Sequence, residues 1–174
     1  MTSPQPPQTP SVPPSAAAPS AGSTATSGKL TKAEGSTLQL ALRSENAAIW
    51  AYALVAANDT EPDDVDLIAQ MRAGHLVRRD AAAGRLAEGG VVPAPPAPAY
   101  ATPAATDLAS ARKLSIAIES DCAAAWQSVV ANSDNGPLRA FAAGGLSDAA
   151  VRLAQWKQRA KVNPLTVPFP GTSS

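Results

Sequence analysis

Residues 36–57 read STLQLALRSENAAIWAYALVAA, and the fold can be worked out from this stretch. Apolar side chains recur there at steps of three and four residues, which places them on one face of an amphipathic helix. That face comprises Leu38, Leu42, Ile49, Tyr52 and Ala56. Glu45 falls in the middle of the same face. Because a carboxylate on a packing face is costly unless it is paired, hydrogen-bonded or bound to metal, the groups that meet Glu45 are the central question.

The composition favours closely packed helices in one domain with tails. The hydrophobic fraction of the 174 residues is 45%, with alanine its largest part, whereas aromatic residues make up 4%. The formal net charge is +0, so we expect neither nucleic acid nor a membrane as a partner. The chain lacks a membrane-length apolar run and a signal-peptide pattern, and its single cysteine, Cys122, fits a reducing compartment. We therefore expect a cytoplasmic protein.

The pattern predicts four helices between two tails. Residues 1–28 are rich in Pro, Ser and Ala and carry no charge, so we expect them to be disordered. The bundle is predicted over residues 36–161, and residues 162–174 form a Pro-containing tail. The predicted helices are helix A (Ser36–Ala57, capped by Ser36), helix B (Asp64–Ala87), helix C (from a cap at Thr106 or Asp107 to Ala131) and helix D (Pro137–Ala160).

The lengths of the connections predict the topology. Short turns make A antiparallel to B and C antiparallel to D. Between B and C lies Gly89–Thr106, whose five prolines exclude a helix and favour an extended chain. Such a chain can return along a whole helix, which makes B parallel to C. Two helical hairpins joined by one long crossover are the arrangement of a ferritin-like four-helix bundle.

This topology places one polar residue from each helix within about one helical turn of mid-bundle. These residues are Glu45, His75, Glu119 and Asp148. Asp121 competes with Glu119 as the inward acid of helix C. Arg72 and Arg152 also point inward or nearly so. We find no nucleotide-binding loop and no nucleophile with a matched base, so we predict no catalytic residue.

Several motifs resemble an uncharacterised, alanine-rich actinobacterial family with a ferritin-like fold. The motifs occur in the same order as in that family, and the resemblance extends from about Leu38 to Pro170. They are ENAAIWAYALVAA at Glu45–Ala57, HLVRRDAA at His75–Ala82, VVPAPPAPAYATP at Val91–Pro103 and ESDCAAAW at Glu119–Trp126.

The wider ferritin-like superfamily implies a two-metal site built from a carboxylate on each of four helices, with Glu-x-x-His on two. Here helix B has Arg72-x-x-His75 and helix D has Asp148-x-x-Val151, so the match is broken. We favour a buried polar network without a cofactor, in a non-catalytic protein. The alternative is Fe or Mn, held in an oxidoreductase or metal-storage protein. The network would comprise Glu45, Tyr52, Arg72, His75, Glu119 and Arg152, and the metal site Glu45, His75, Glu119 and Asp148.

Other conspicuous side chains have plainer interpretations. Cys122 is inward and apolar-flanked, as an inert core thiol would be. Trp50 points off the core face and Trp126 lies near the edge of helix C, so each is either shielded by the crossover or the tail, or contacts a second copy in a homodimer. Another protein or a small ligand stays open as a partner. Gly144 and Gly145 weaken helix D, which the close approach of a neighbouring helix would explain.

Overall fold

The computed structural model describes residues 28–172, which form an all-α four-helix bundle. The predicted fold class is therefore confirmed, and the described residues contain no strand. The disorder predicted for residues 1–28 lies outside the described residues, apart from Gly28. None of the described helices is long and apolar enough to cross a membrane. The helices are α1 (Lys32–Asn58), α2 (Pro62–Glu88), α3 (Leu108–Ala131) and α4 (Gly136–Arg159).

Side chains that satisfy free backbone N–H groups set three of the helix starts. Thr31 caps α1 in a reciprocal capping box, in which its hydroxyl accepts from Glu34 N at 3.2 Å and its N–H donates to Glu34 at 2.9 Å. The predicted cap at Ser36 is wrong, because the chain is already helical there. Asp107 caps α3, which settles one of the two predicted positions, and Asn135 caps α4.

Ion pairs at one end of the bundle establish the helix directions. Arg112, near the start of α3, contacts Asp59, which follows α1, at 3.3 Å and Asp64 in the first turn of α2 at 2.7 Å. Arg159, the last residue of α4, also pairs with Asp64. The starts of α2 and α3 therefore share an end with the finishes of α1 and α4, as the topology predicted.

Polar contacts also join chain segments at the opposite end of the bundle. Ser133, just after α3, donates to Glu34 in the first turn of α1 at 2.7 Å. Leu30 N donates to the carbonyl of Gly89, which follows α2, at 3.1 Å. Glu34 has a lowered pKa, chiefly because Ser133 donates to its carboxylate. Both ends thus hold polar contacts between chain segments far apart in sequence.

The apolar faces of the helices are buried in two clusters along the bundle. One contains Val55, Ile68 and Leu114, and the other contains Leu42 and Leu86. Glu45, His75 and Glu119 lie between the two clusters, near the middle of their helices. The prediction failed for Ala56, which is exposed.

The edge position predicted for Trp126 is wrong, because its side chain is fully buried. It fits there because α4 offers Gly145 at the same place. A Cβ atom added to Gly145 would lie 2.6 Å from the indole ring of Trp126. The close approach that explains this glycine is therefore that of a side chain from the neighbouring helix.

The two extended segments lie against the bundle. Tyr100 of the crossover packs on half-buried Trp50 of α1, with ring centroids 6.0 Å apart, so the crossover shields Trp50. The C-terminal segment returns to α3, where Gly171 has a φ of +85° and lies against the backbone of Ala123. A side chain at Gly171 would be excluded both by this contact and by the positive φ.

The two adjacent glycines of α4 provide a matched test of packing. We expect Gly145→Ala to lower the free energy of unfolding by about 1–2 kcal/mol, because the collision with Trp126 exceeds the gain in helix propensity. Gly144→Ala should raise it by up to about 1 kcal/mol. The Cβ atom of that variant would meet Arg78 at an ordinary 3.6 Å. Chemical denaturation of both variants checks this prediction, and equal effects would contradict it.

Candidate functional site

His75 lies between two buried carboxylates from different helices. Its Nδ1 is 2.7 Å from Oε2 of Glu45 on α1, and its Nε2 is 3.1 Å from Oε1 of Glu119 on α3. All three side chains are at most 2% exposed. An ionised carboxylate can only accept hydrogen bonds, so a contact with one at each ring nitrogen favours the doubly protonated imidazolium form of His75.

Neutral donors also contact the two carboxylates. Trp126 Nε1 donates to Oε1 of Glu45 at 2.6 Å. Tyr52 OH donates to Oε1 of Glu119 at 2.5 Å, and its oxygen accepts from Trp156 Nε1 at 2.8 Å. Side chains from all four helices are thereby joined in one hydrogen-bonded layer.

The electrostatics of His75 follow from these contacts. Burial lowers the pKa of His75, but its contacts with Cys122, Glu119 and Glu45 more than offset this effect and raise the pKa to about 12. At neutral pH, one cation thus lies between two carboxylates. Buried charges are tolerated when they are paired in this way.

Two neighbouring groups are held in their protonated forms. Burial, and then the charge of Glu119, raises the pKa of Tyr52 well above its usual range. Burial likewise raises the pKa of the Cys122 thiol to about 11, although His75 opposes this. Cys122 is therefore a thiol at neutral pH, contacting Ser44 Oγ at 3.5 Å. The predicted inward position of Cys122 is confirmed, whereas its surroundings are polar, because Glu45 and His75 lie beside it.

The structure brings together only part of the predicted residue set. Glu45, Tyr52, His75 and Glu119 meet in the layer. Arg72 is exposed and does not enter the layer. Its Nε donates to the backbone carbonyl of Ile49 on α1 at 3.2 Å. Arg152 lies half-buried over Gly74, beside the layer and outside its hydrogen bonds.

Asp148 requires a correction, because the structure places it outside the layer. Its side chain is 48% exposed and pairs with Arg78. Asp148 lies near the middle of α4, as predicted, but on the wrong face of the helix. Successive residues of a helix point about 100° apart, so an error of one residue moves a side chain from the core to the surface. Ala149 takes the buried position instead, and Val151 is exposed as well. On α3, Glu119 is the inward acid and Asp121 is exposed.

The donors present do not fit a two-metal centre. The layer holds two carboxylates, and both nitrogens of its histidine are already in hydrogen bonds. Two hard cations require more anionic oxygens than this. A smaller set does converge, because ligand atoms of Glu45, His75 and Cys122 lie within 4.8 Å of one another. Oε2 of Glu119 is also buried without a hydrogen-bond partner among the described residues.

The main residue that sequence reasoning missed is Trp126. Its indole N–H satisfies Glu45, yet helical periodicity placed it at the edge of helix C. The signal that could have found it is Gly145, since a glycine inside a helix facing a tryptophan marks a place where a large ring fits. The hydrogen bond from Trp156 to Tyr52 was not foreseen either.

Comparison with known proteins agrees with this architecture. The model of a domain of unknown function, DUF4439, matches residues 37–174. The chain belongs to this family. It also resembles the crystal structure of a conserved hypothetical protein from Mycobacterium tuberculosis, with 32% sequence identity and a TM-score of 0.72. That match covers 79% of this chain and 97% of the mycobacterial one. The expected uncharacterised actinobacterial family is thus confirmed, while no curated protein matches the chain.

The charge of His75 can be tested directly, because it is the chain's one histidine. We expect ¹⁵N NMR at neutral pH to show protons on both ring nitrogens. Below pH 6.5 His75 is protonated in both the folded and the unfolded chain, so its full contribution to stability is present. Between pH 6.5 and about 12 only the folded chain keeps this proton. The free energy of unfolding should therefore fall by about 1.4 kcal/mol per pH unit from this group. A single neutral tautomer at neutral pH would contradict the assignment.

Glu45 should be the most sensitive acid of the bundle. We expect Glu45→Ala to lower the free energy of unfolding by about 3–5 kcal/mol, because it breaks a buried ion pair and leaves Nδ1–H of His75 and the indole N–H of Trp126 without an acceptor. Glu45→Gln should be milder, since its amide can still hydrogen-bond. The control is Asp121→Asn, an exposed acid on α3, which should change stability by less than about 0.5 kcal/mol. Equal losses in Glu45→Ala and the control, measured in urea, would exclude a special role for Glu45.

Proposed function

We propose that this protein is a ferritin-like, non-catalytic helical protein in which a buried ionic network occupies the level of a two-metal centre. In this proposal the imidazolium of His75 supplies the positive charge that metal ions would supply. The proposed role is structural: the layer orients four helices for binding or scaffolding.

One observation carries the proposal, namely that both ring nitrogens of His75 contact carboxylates. A histidine binds metal through an unprotonated nitrogen. His75 would have to give up one of its two hydrogen bonds, at 2.7 and 3.1 Å, before it could do so. The donors Trp126 and Tyr52 favour the same conclusion, because their N–H and O–H groups already stabilise the carboxylates.

A second candidate function follows from two other features of the site. The convergence of Glu45, His75 and Cys122 provides carboxylate, imidazole and thiol ligands, and the unpartnered oxygen of Glu119 could serve a cation. This set suits one transition-metal ion such as Fe or Mn better than two. The alternative function is a metal-dependent oxidoreductase or metal-storage protein with a reduced site.

The location and the partners are also parts of the proposal. A cytoplasmic location is supported by the free, buried Cys122, which a reducing compartment would preserve. The partner is left open between a second copy of the chain, another protein and a small ligand. The contact of Trp50 with Tyr100 makes Trp50 a weaker argument for a homodimer than its sequence position suggested.

Metal content separates the two functions. The protein is purified from medium supplemented with iron and manganese, and its metals are measured together with its thermal midpoint in added Fe²⁺ or Mn²⁺. We expect no stoichiometric ion and no metal-dependent rise, because a ligand raises stability only where it binds the folded state.

Variants give this experiment its control. An ion that is stoichiometric in the wild type and absent from Glu45→Gln and His75→Ala would overturn the structural proposal. Loss of that ion in Cys122→Ser would further assign the thiol as a ligand. Asp148→Asn should leave the metal content unchanged, because Asp148 lies outside the layer.

A further inference from the structure

A cleft of about 390 Å³ opens between α2 and α4, against the outer side of the buried layer. Met71 and Gly74 line it on α2, and Arg152 and Gln155 line it on α4. Met71 also touches the layer, because its sulfur lies 3.3 Å from Tyr52 OH. The cleft exists because α2 and α4 pack less closely than the pairs α1–α2, α1–α3 and α3–α4.

Arg152 is the main charged feature of this cleft. Its half-buried guanidinium forms no ion pair with any residue between 28 and 172. The acid nearest along α4, Asp148, pairs instead with Arg78. The guanidinium lies over Gly74 in the space that a side chain at that position would take. A cation held in a cleft without a counter-ion can bind an anion through charge-assisted hydrogen bonds.

We propose that this cleft binds a small monocarboxylate with a short aliphatic tail. The planar guanidinium of Arg152 matches the two oxygens of a carboxylate, and the amides of Gln70 and Gln155 line the same space. Leu67, Met71 and Val151 offer apolar surface for the tail. The carboxylate of Asp148 at the cleft disfavours a doubly charged anion such as phosphate. This proposal is independent of the ionic network, because it uses neither a titration nor a metal.

The test uses sodium hexanoate as the probe and the amide NMR spectrum of the full chain as the readout. We expect saturable shifts centred on Leu67, Gly74 and Gln155. Arg152→Gln should weaken binding about tenfold or more, the usual effect of losing hydrogen bonds to a charged group. The matched control is Arg43→Gln, which lies at a separate cavity of about 580 Å³ under the crossover and should bind like the wild type.

A second variant acts on the same guanidinium without removing it. Gly74→Ala should keep the wild-type fold, because only the flexible end of Arg152 has to move, and should also weaken hexanoate binding. Hexan-1-ol and hexylamine should not saturate the site. The proposal is overturned if wild type and Arg152→Gln bind hexanoate equally, if hexan-1-ol binds as well as hexanoate, if the shifts map to the cavity beside Tyr100, or if no saturable binding occurs.

Discussion

The pairing of His75 with Glu45 and Glu119 is the interaction on which the rest of the bundle depends. A buried carboxylate is costly without partners, and donors meet both oxygens of Glu45 and one oxygen of Glu119. Trp126 donates to Glu45, and Gly145 leaves the space its indole needs. Tyr52 donates to Glu119 and is oriented by Trp156. The largest rings of the core are therefore also part of its polar structure.

This layer also supplies a specificity that the alanine-rich faces lack. Small side chains allow helices to approach closely, but they distinguish poorly between one packing register and the next. A slip of α3 by one turn would move Glu119 about 5.4 Å along the axis, away from His75 and Tyr52. Buried ion pairs contribute little net stability compared with apolar packing, and selecting one arrangement is their better-supported use. We infer that the layer aligns the four helices.

Much of this arrangement could be predicted from the sequence, because it depends on periodicity and on connection lengths. The four helices, their directions and the inward positions of Glu45 and His75 follow from those two features. The face of Asp148 could not be predicted reliably, since a shift of one residue moves a side chain from the core to the surface. The predictions for Trp126 and Arg72 failed for another reason. Where a long side chain ends is decided by its neighbours in space, and helical periodicity does not contain them.

The crossover between α2 and α3 has a consequence for folding kinetics. The pairs α1–α2 and α3–α4 are local in sequence, so each can form as a hairpin within its own part of the chain. The bond from Trp126 to Glu45, in contrast, joins residues 81 positions apart. Closing such a long loop costs entropy before any contact repays it. We expect the two hairpins to dock late, and water to leave Glu45, His75 and Glu119 only at that step. Low φ-values at these three positions, with higher ones inside each hairpin, would reveal this order.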